Sequence, residues 1–266
     1  MKAVLLSSIF FLAFAAFFLG CNKTTGDGTP PCLPANLSNG IIAFYTFSNG
    51  SLSDASGNNN NLVNNTGAVS TTDRSGNTNC AYLFNGTQTL SAVNPVFLDN
   101  LSKFSISLWY EPIDSSRLPG NYEALICRDT VGGCPDRYGQ WSVGLFDCRR
   151  AVFAAQNSVW DTVTAPSFNC QDLIAARTGS WHHLTAVYDG VAGTITIYRD
   201  GVFQESAPAV TTGCSTPPHP IFNTGDLFLG KYYKGRMDDV IIFNRVLSQP
   251  EITQLSQMGT CCAMPQ

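Results

Sequence analysis

The chain has 266 residues, a formal net charge of −4, 13% charged residues and 44% hydrophobic ones. With no block of lysines or arginines, it lacks the concentrated positive footprint that nucleic acid binding requires. Its length suits one large domain with its own core, and no shift in composition along the middle marks a second.

Lys2 precedes an apolar run from Ala3 to Leu19 and then Gly20-Cys21. These parts make a signal peptide over residues 1–20. The run stands at the short limit for a membrane span, so an uncleaved anchor is the less favoured reading. Phe18-Leu19-Gly20-Cys21 resembles a bacterial lipobox, with Phe18 and Leu19 where a leucine and a small residue are usual. That resemblance implies cleavage before Cys21, lipid on its sulfur, and a place at the outer membrane or cell surface. Plain secretion or a periplasmic location is the alternative. Residues 21–39 read as the lipidated cysteine and a flexible tether, because Thr, Gly, Pro and Asn dominate and few side chains can build a core. Fully extended, the tether would reach roughly 55 Å.

From Ile41 onward short apolar runs alternate with turn clusters: IIAFYTF, AYLFNG, FSISLWY, LTAVYDG, TITIYRDG, DLFLG and DDVIIFN. Period-2 patterning predicts strands. Phe104, Ile106, Leu108 and Tyr110 fall on one face, with Ser105, Ser107 and Trp109 on the other; Leu184, Ala186 and Tyr188 likewise oppose Thr185 and Val187. The segment from Pro112 to Gly179 is less regular and combines a few strands with long loops. Asp200-Gly201, between alternating runs, predicts a two-residue hairpin turn. Ser248-Gln-Pro-Glu251 is a capping box opening one short helix, with Leu247, Ile252 and Leu255 as its apolar contacts.

Ten cysteines behind an export signal argue for disulfides in an oxidising compartment. Setting Cys21 aside leaves an odd number. Cys127 with Cys134, and Cys148 with Cys170, are close enough in sequence to clip loops, while Cys32 can staple the N-terminal entry to Cys261 or Cys262. Neither CxxC pairs nor Cys/His tetrads stand at zinc spacing.

In this order the pieces resemble LamG-like domains of the concanavalin A type: IIAFYTF, DASGNNNN, AYLFNG, FSISLWY, WHHLTAVYDG, IYRDG, LFLGK and GRMDDVIIFNRVLSQPEI. The resemblance covers Gly40 to about Gln257 and implies an all-β, two-sheet antiparallel jelly-roll sandwich of about a dozen strands with a short C-terminal helix, assigned to residues 40–266. One concave sheet and rim loops would form any binding site. It also implies a structural Ca2+ tying an early loop to a late strand, and the matching positions are Asp54, Gly57, Asn58 and Asn60 with Asp238 and Asp239. Calcium takes six to eight oxygen ligands. This chain departs from the family after Asn60, continuing Asn61-Leu62-Val63 where a glycine is usual. The alternative is that Asp54 and the asparagines form a turn braced by their own side chains.

Catalytic constellations are missing from the sequence. His182 and His183 sit in a predicted strand, one inward and one outward, and no GxSxG-like elbow supplies a nucleophile. No Glu-x-Asp-x-x-Glu string offers the paired acids of a glycosidase, and consecutive Asp238 and Asp239 are expected on opposite strand faces. Arg149-Arg150 reads as a solvated pair. Trp141, Trp160, Tyr232 and Tyr233, with Tyr122 and Tyr138, are the candidate ligand-facing aromatics, ordinary burial being the alternative for each. The expected protein is therefore a non-catalytic envelope lipoprotein that binds a glycan or an extracellular-matrix protein. A structural spacer without a ligand is the second reading, and a polysaccharide-degrading enzyme the third.

Overall fold

In a computed structural model, residues 32–113, 122–128, 141–146, 150–155, 157–161, 179–209 and 225–262 are described. The signal segment, Cys21, residues 22–31, Tyr138, Arg149, Cys134, Cys148, Cys170 and Cys214 lie outside them. The strands in chain order are β1 (Ile41–Tyr45), β2 (Val69–Thr71), β3 (Ala81–Asn85), β4 (Leu90–Ala92), β5 (Lys103–Pro112), β6 (Glu123–Arg128) and β7 (Trp141–Phe146). Then follow β8 (Arg150–Ala155), β9 (Asn157–Trp160), β10 (His182–Asp189), β11 (Thr194–Arg199), β12 (Val202–Pro208), β13 (Leu227–Leu229) and β14 (Lys234–Phe243), before one helix, α1 (Gln249–Ser256).

They form two antiparallel sheets. The eight-stranded sheet runs β12-β11-β10-β5-β14-β3-β2, with β1 also paired to β14; the six-stranded sheet runs β4-β13-β6-β7-β8-β9. Phe104, Ile106, Leu108, Tyr110, Leu184, Ala186 and Tyr188 fill the space between the sheets with Trp141, Val143, Leu145, Phe153 and Val159 from the opposite side. The expected alternation therefore places the expected residues inside. At the β11–β12 turn Asp200 and Gly201 have φ of 51° and 77°. Two successive positive φ values are what a tight two-residue hairpin requires, and glycine adopts the second without a Cβ clash.

The other face of the eight-stranded sheet is covered as well, which period-2 patterning alone does not show. Ser105 and Ser107 are buried there. Leu33, Leu37, Phe44, Val187, Ile241, Phe243, Leu247, Ile252 and Leu255 make a second apolar cluster between that face, α1 and the N-terminal entry. Ser248 starts α1 as expected, with its N–H and hydroxyl both donating to Glu251 Oε2 at 2.8 and 2.7 Å. The tether boundary needs correction. Leu33 and Leu37 are buried and Cys32 is bonded to Cys261, so the folded part includes residues 32–39, which their polar composition disguised. A second disulfide, Cys80–Cys262, ties the loop after β2 to the same C-terminal tail.

Candidate functional site

Strand register brings a set of aromatic and cationic side chains to one end of the sandwich. Phe146 pairs with Arg150, Val152 with Trp160, Glu123 with Leu145, and Ala124 donates its N–H to the carbonyl of Lys231 at 2.9 Å. Because Leu145, Ala151 and Val159 point inward, Phe146, Arg150 and Trp160 project from the outward face. Tyr122 lies over Gly144 on that face, where a Cβ would stand 2.9 Å from the tyrosine hydroxyl; glycine is required for this close approach. Tyr122 and Ser142 share a hydroxyl–hydroxyl bond, and burial pushes the phenol far above its ordinary pKa, keeping it neutral.

The rings follow one another. Centroids of Tyr122 and Phe146 are 6.1 Å apart, those of Phe146 and Trp160 5.8 Å, and the Arg150 guanidinium sits 4.4 Å over Trp160. At the β13 side, Lys231 Nζ lies 4.8 Å from the Phe228 ring and 5.8 Å from that of Tyr232, which is 52% exposed. Tyr232 holds a φ of 61°, a left-handed conformation that a bulky residue adopts at a cost of about 1–3 kcal/mol. With neighbouring strands about 4.8 Å apart, the row from β9 through β8, β7 and β6 to the end of β13 spans roughly 19 Å. It can lie beneath several sugar rings.

Of the aromatics singled out in the sequence, Trp160 and Tyr232 reach this row. Trp141 and Tyr233 do not. Trp141 is 2% exposed and packs on Phe104 with centroids 5.3 Å apart, because its position in β7 points it inward. Tyr233 is fully buried, donating its hydroxyl to the carbonyl of Arg236. Sequence reasoning passed over Phe146 and treated Arg150 as merely solvated. The inward set Trp141, Val143 and Leu145 already implied an outward Phe146.

The six-position calcium expectation can be compared with the partners of each group. Asp54 Oδ1 accepts from the N–H of Phe44 and of Ser56 at 2.9 Å, and Oδ2 from Asn60 at 3.0 Å. Asn58 and Asn60 turn amide N–H groups toward the carbonyls of Ile41 and Ile42, at 3.1 and 2.6 Å. Gly57 contributes a turn with φ of 85°. Asp238 and Asp239 instead grip Arg74, through Nη1 and through Nη2, the second at 2.8 Å. Among the described residues, Asp73, Cys80 and Cys262 are the three His, Cys, Asp or Glu side chains whose ligating atoms converge, and both cysteines are oxidised. The residues therefore do not fit one calcium cage: the first set is braced by backbone donors and the second is neutralised by a guanidinium.

One expectation about Asp238 and Asp239 is overturned. They do not face opposite sides, because β14 carries a bulge between Asp238 and Ile241 with Asp239 at φ of 42°. The extra residue breaks the alternation and turns both carboxylates to one cation. Burial and the neighbouring Asp239 raise the carboxyl of Asp238 well above its ordinary range, and burial lifts Asp239 to about 6 against the pull of Arg74. Arg74 also lies 4.5 Å over the Trp109 ring and donates to the carbonyl of Gly259.

The histidines split as expected. His182 points inward toward Tyr110 and bonds Asp200 at 3.1 Å. His183 points outward to Ser107, with Nε2 and Oγ 2.8 Å apart. Among the described residues its Nδ1 is buried without a hydrogen-bond partner, and burial lowers its pKa to about 3.

Residues 84–253 match the family model described as the concanavalin A-like lectin/glucanases superfamily. The chain belongs to this superfamily. Among solved structures, this lectin/glucanase-like chain is similar to the binding domain of Paraclostridial Mosquitocidal Protein 1, at 18% identity and TM-score 0.62, covering 83% of this chain and 52% of that one. It is also similar to the botulinum neurotoxin serotype G binding domain, at 17% identity and TM-score 0.60, over 81% and 50%. A third is domain 4 of AbnA, a GH43 extracellular arabinanase from Geobacillus stearothermophilus, solved in complex with arabinotriose, at 18% identity and TM-score 0.56, over 82% and 98%. The chain thus spans about half the length of the toxin chains it matches and nearly all of the arabinanase domain. At these identities the likeness establishes the fold. No curated protein sequence matches the chain.

Proposed function

We propose that this lectin/glucanase-like domain is a non-catalytic binding module that docks a glycan across the row from Trp160 to Tyr232. The observation that carries this reading is the alignment of partly exposed ring faces and polar edges on five successive strand ends, the surface chemistry that suits stacked sugar rings. The arabinotriose complex of the AbnA domain and the toxin binding domains support a binding role on this fold by analogy. An extracellular-matrix protein is the alternative partner, since exposed Tyr, Trp and Arg also serve protein contacts. A glycan array with the mature domain should give saturable binding that Trp160→Ala weakens by about tenfold or more, equivalent to roughly 1.4 kcal/mol or above. Unchanged binding by the folded variant would remove this row from the site, and binding confined to matrix proteins would replace the glycan with the alternative.

The module is held at the envelope by lipid on Cys21, as the Phe18 to Cys21 segment suggests. Cys21→Ser is expected to move the protein from the membrane fraction to the soluble one. Retention in the membrane fraction would refute a lipid anchor.

A further inference from the structure

Two disulfides end on neighbouring residues of one tail. Cys32 bonds Cys261 and Cys80 bonds Cys262, across Cα separations of 5.2 and 5.6 Å. A bridge closes over Cα distances of about 4.4–6.8 Å, and adjacent Cα atoms stand about 3.8 Å apart, so reach alone does not select between the two cysteines. The tail follows α1 and belongs to no strand, so no ladder fixes its register. A slip of one residue would present the wrong cysteine to one partner and leave the other unbridged.

Three consecutive residues of the tail are each held by a different side chain. Arg74 Nη2 donates to the carbonyl of Gly259 at 2.8 Å, the Thr260 hydroxyl donates to Asp73 Oδ2 at 2.8 Å, and the N–H of Cys261 donates to Asp239 Oδ2 at 2.9 Å. Asp73 and Arg74 lie in the loop between β2 and β3, the loop that ends at Cys80. Asp73 is itself fixed there, its Oδ1 accepting from the N–H of Ser75 and of Asn77 at 2.8 and 2.9 Å and its Oδ2 from the Asn77 amide at 2.9 Å. Asp239 is tied to the same loop through Arg74.

As a source of stability this network is poor. Taking two adjacent carboxyls out of water is costly, and among the described residues Asp238 Oδ1 and Asp239 Oδ1 are buried without a hydrogen-bond partner. Apolar side chains of similar volume would pack as well. They could not tell one tail residue from the next, because burial is non-directional whereas each hydrogen bond requires a particular donor or acceptor.

We infer that Asp73, Arg74 and Asp239 are positioning residues for disulfide formation, setting the register of Gly259 to Cys261 so that Cys261 meets Cys32 and Cys262 meets Cys80. In the covalent step the Cys32 thiolate attacks an external disulfide and displaces one small thiolate. The Cys261 thiolate then attacks the Cys32 sulfur and displaces the second, so the two electrons lost by the cysteines leave on the external pair.

The test makes Cys32 choose. Mature protein carrying Cys80→Ser is reduced, unfolded and brought to equilibrium in a mixture of glutathione and its disulfide; free thiols are alkylated, the bridges are then reduced and labelled with a second reagent, and fragmentation across the 261–262 peptide bond shows which cysteine was bridged. The pairing with Cys261 is expected to exceed that with Cys262 about tenfold or more. Thr260→Val, a change at a partly exposed position, should shift the ratio about tenfold toward Cys262, the value of one hydrogen bond to a charged acceptor. Arg74→Met should shift it in the same direction, and if that variant does not fold Thr260→Val decides alone. Ile106→Val, between the sheets, should leave the ratio unchanged. Near-equal pairing without these substitutions, a ratio that Thr260→Val does not move, or an equal shift with Ile106→Val would overturn the inference.

Discussion

Replacing Arg74 with methionine is expected to lower the stability of the domain by about 3–5 kcal/mol, the cost of stranding buried charge without its partner. Among the described residues, Arg74 is the cation bonded to Asp238 and Asp239, both within the sheet and almost without exposure. Methionine keeps the length and the contact with Trp109 but leaves two adjacent carboxyls facing each other. For a domain of this size the loss corresponds to a fall in melting temperature on the order of 10 °C. The pH dependence has a definite sign. Both carboxyls have folded pKa values raised above their unfolded ones, so the folded state holds protons that the unfolded state has released, and stability falls as pH rises above about 4, for Asp239 through about 6. Without Arg74 the carboxyls are raised further. The deficit of the variant should be largest near neutral pH and shrink toward pH 5 as they become neutral.

His183, close by, works in the opposite sense. Its folded pKa is depressed to about 3, so stability is lost as pH falls below about 6.5. That loss is largely common to both proteins and cancels in their difference. Thermal melts of both proteins across this range, with Asp238→Asn and Asp239→Asn added to the Arg74→Met background as a rescue, check the account. A deficit independent of pH and not relieved by the asparagines would show that Arg74 acts through packing alone.

The second large effect is expected from the paired disulfides. Cys32–Cys261 closes 229 residues in sequence, though with Cys80–Cys262 intact the effective loop is far shorter. On the chain-entropy model, removing it by Cys32→Ser with Cys261→Ser costs about 4 kcal/mol, against total stabilities of about 5–15 kcal/mol. The urea midpoint should fall and the m-value rise, since the unfolded chain becomes more expanded and exposes more surface. Mild reduction of the unsubstituted protein should reproduce the shift. An unmoved midpoint would mean that the anchoring of Leu33 and Leu37 holds the N-terminal entry without the covalent bond.

How much of this was legible depended on whether one side chain's neighbours are set locally or across the fold. Period-2 alternation assigned Phe104, Leu108, Leu184 and Tyr188 to the inner face, and the Asp200-Gly201 turn and the Ser248 cap were readable because each involves only a few consecutive residues. The Cys32 to Cys261 link was one of two sequence options. The bulge at Asp239 was hidden, because an unpaired residue in a strand leaves no mark in alternation and the left-handed conformation falls on an aspartate rather than a glycine. Arg74 was hidden for another reason: it reaches Asp238 from 164 positions away. The Tyr232-Tyr233 dipeptide shows the limit in small. Adjacent and chemically identical, one is half exposed and the other sealed in the core, a choice made by the turn between β13 and β14.

The covalent route from Cys32 to Cys261 also decides how the domain would bear tension. A pull along the N-terminal chain reaches Cys32 before it reaches β1, and the sulfur bridge hands it to the C-terminal tail. From there Cys262–Cys80 passes part of it to the start of β3, and Asp239, which accepts the N–H of Cys261, passes part to β14. The five-residue β1, whose hydrogen bonds would otherwise open one at a time like a zipper, stands outside this path. Tension entering at Cys32 would then be shared by β14, inside the larger sheet, and by its neighbour β3.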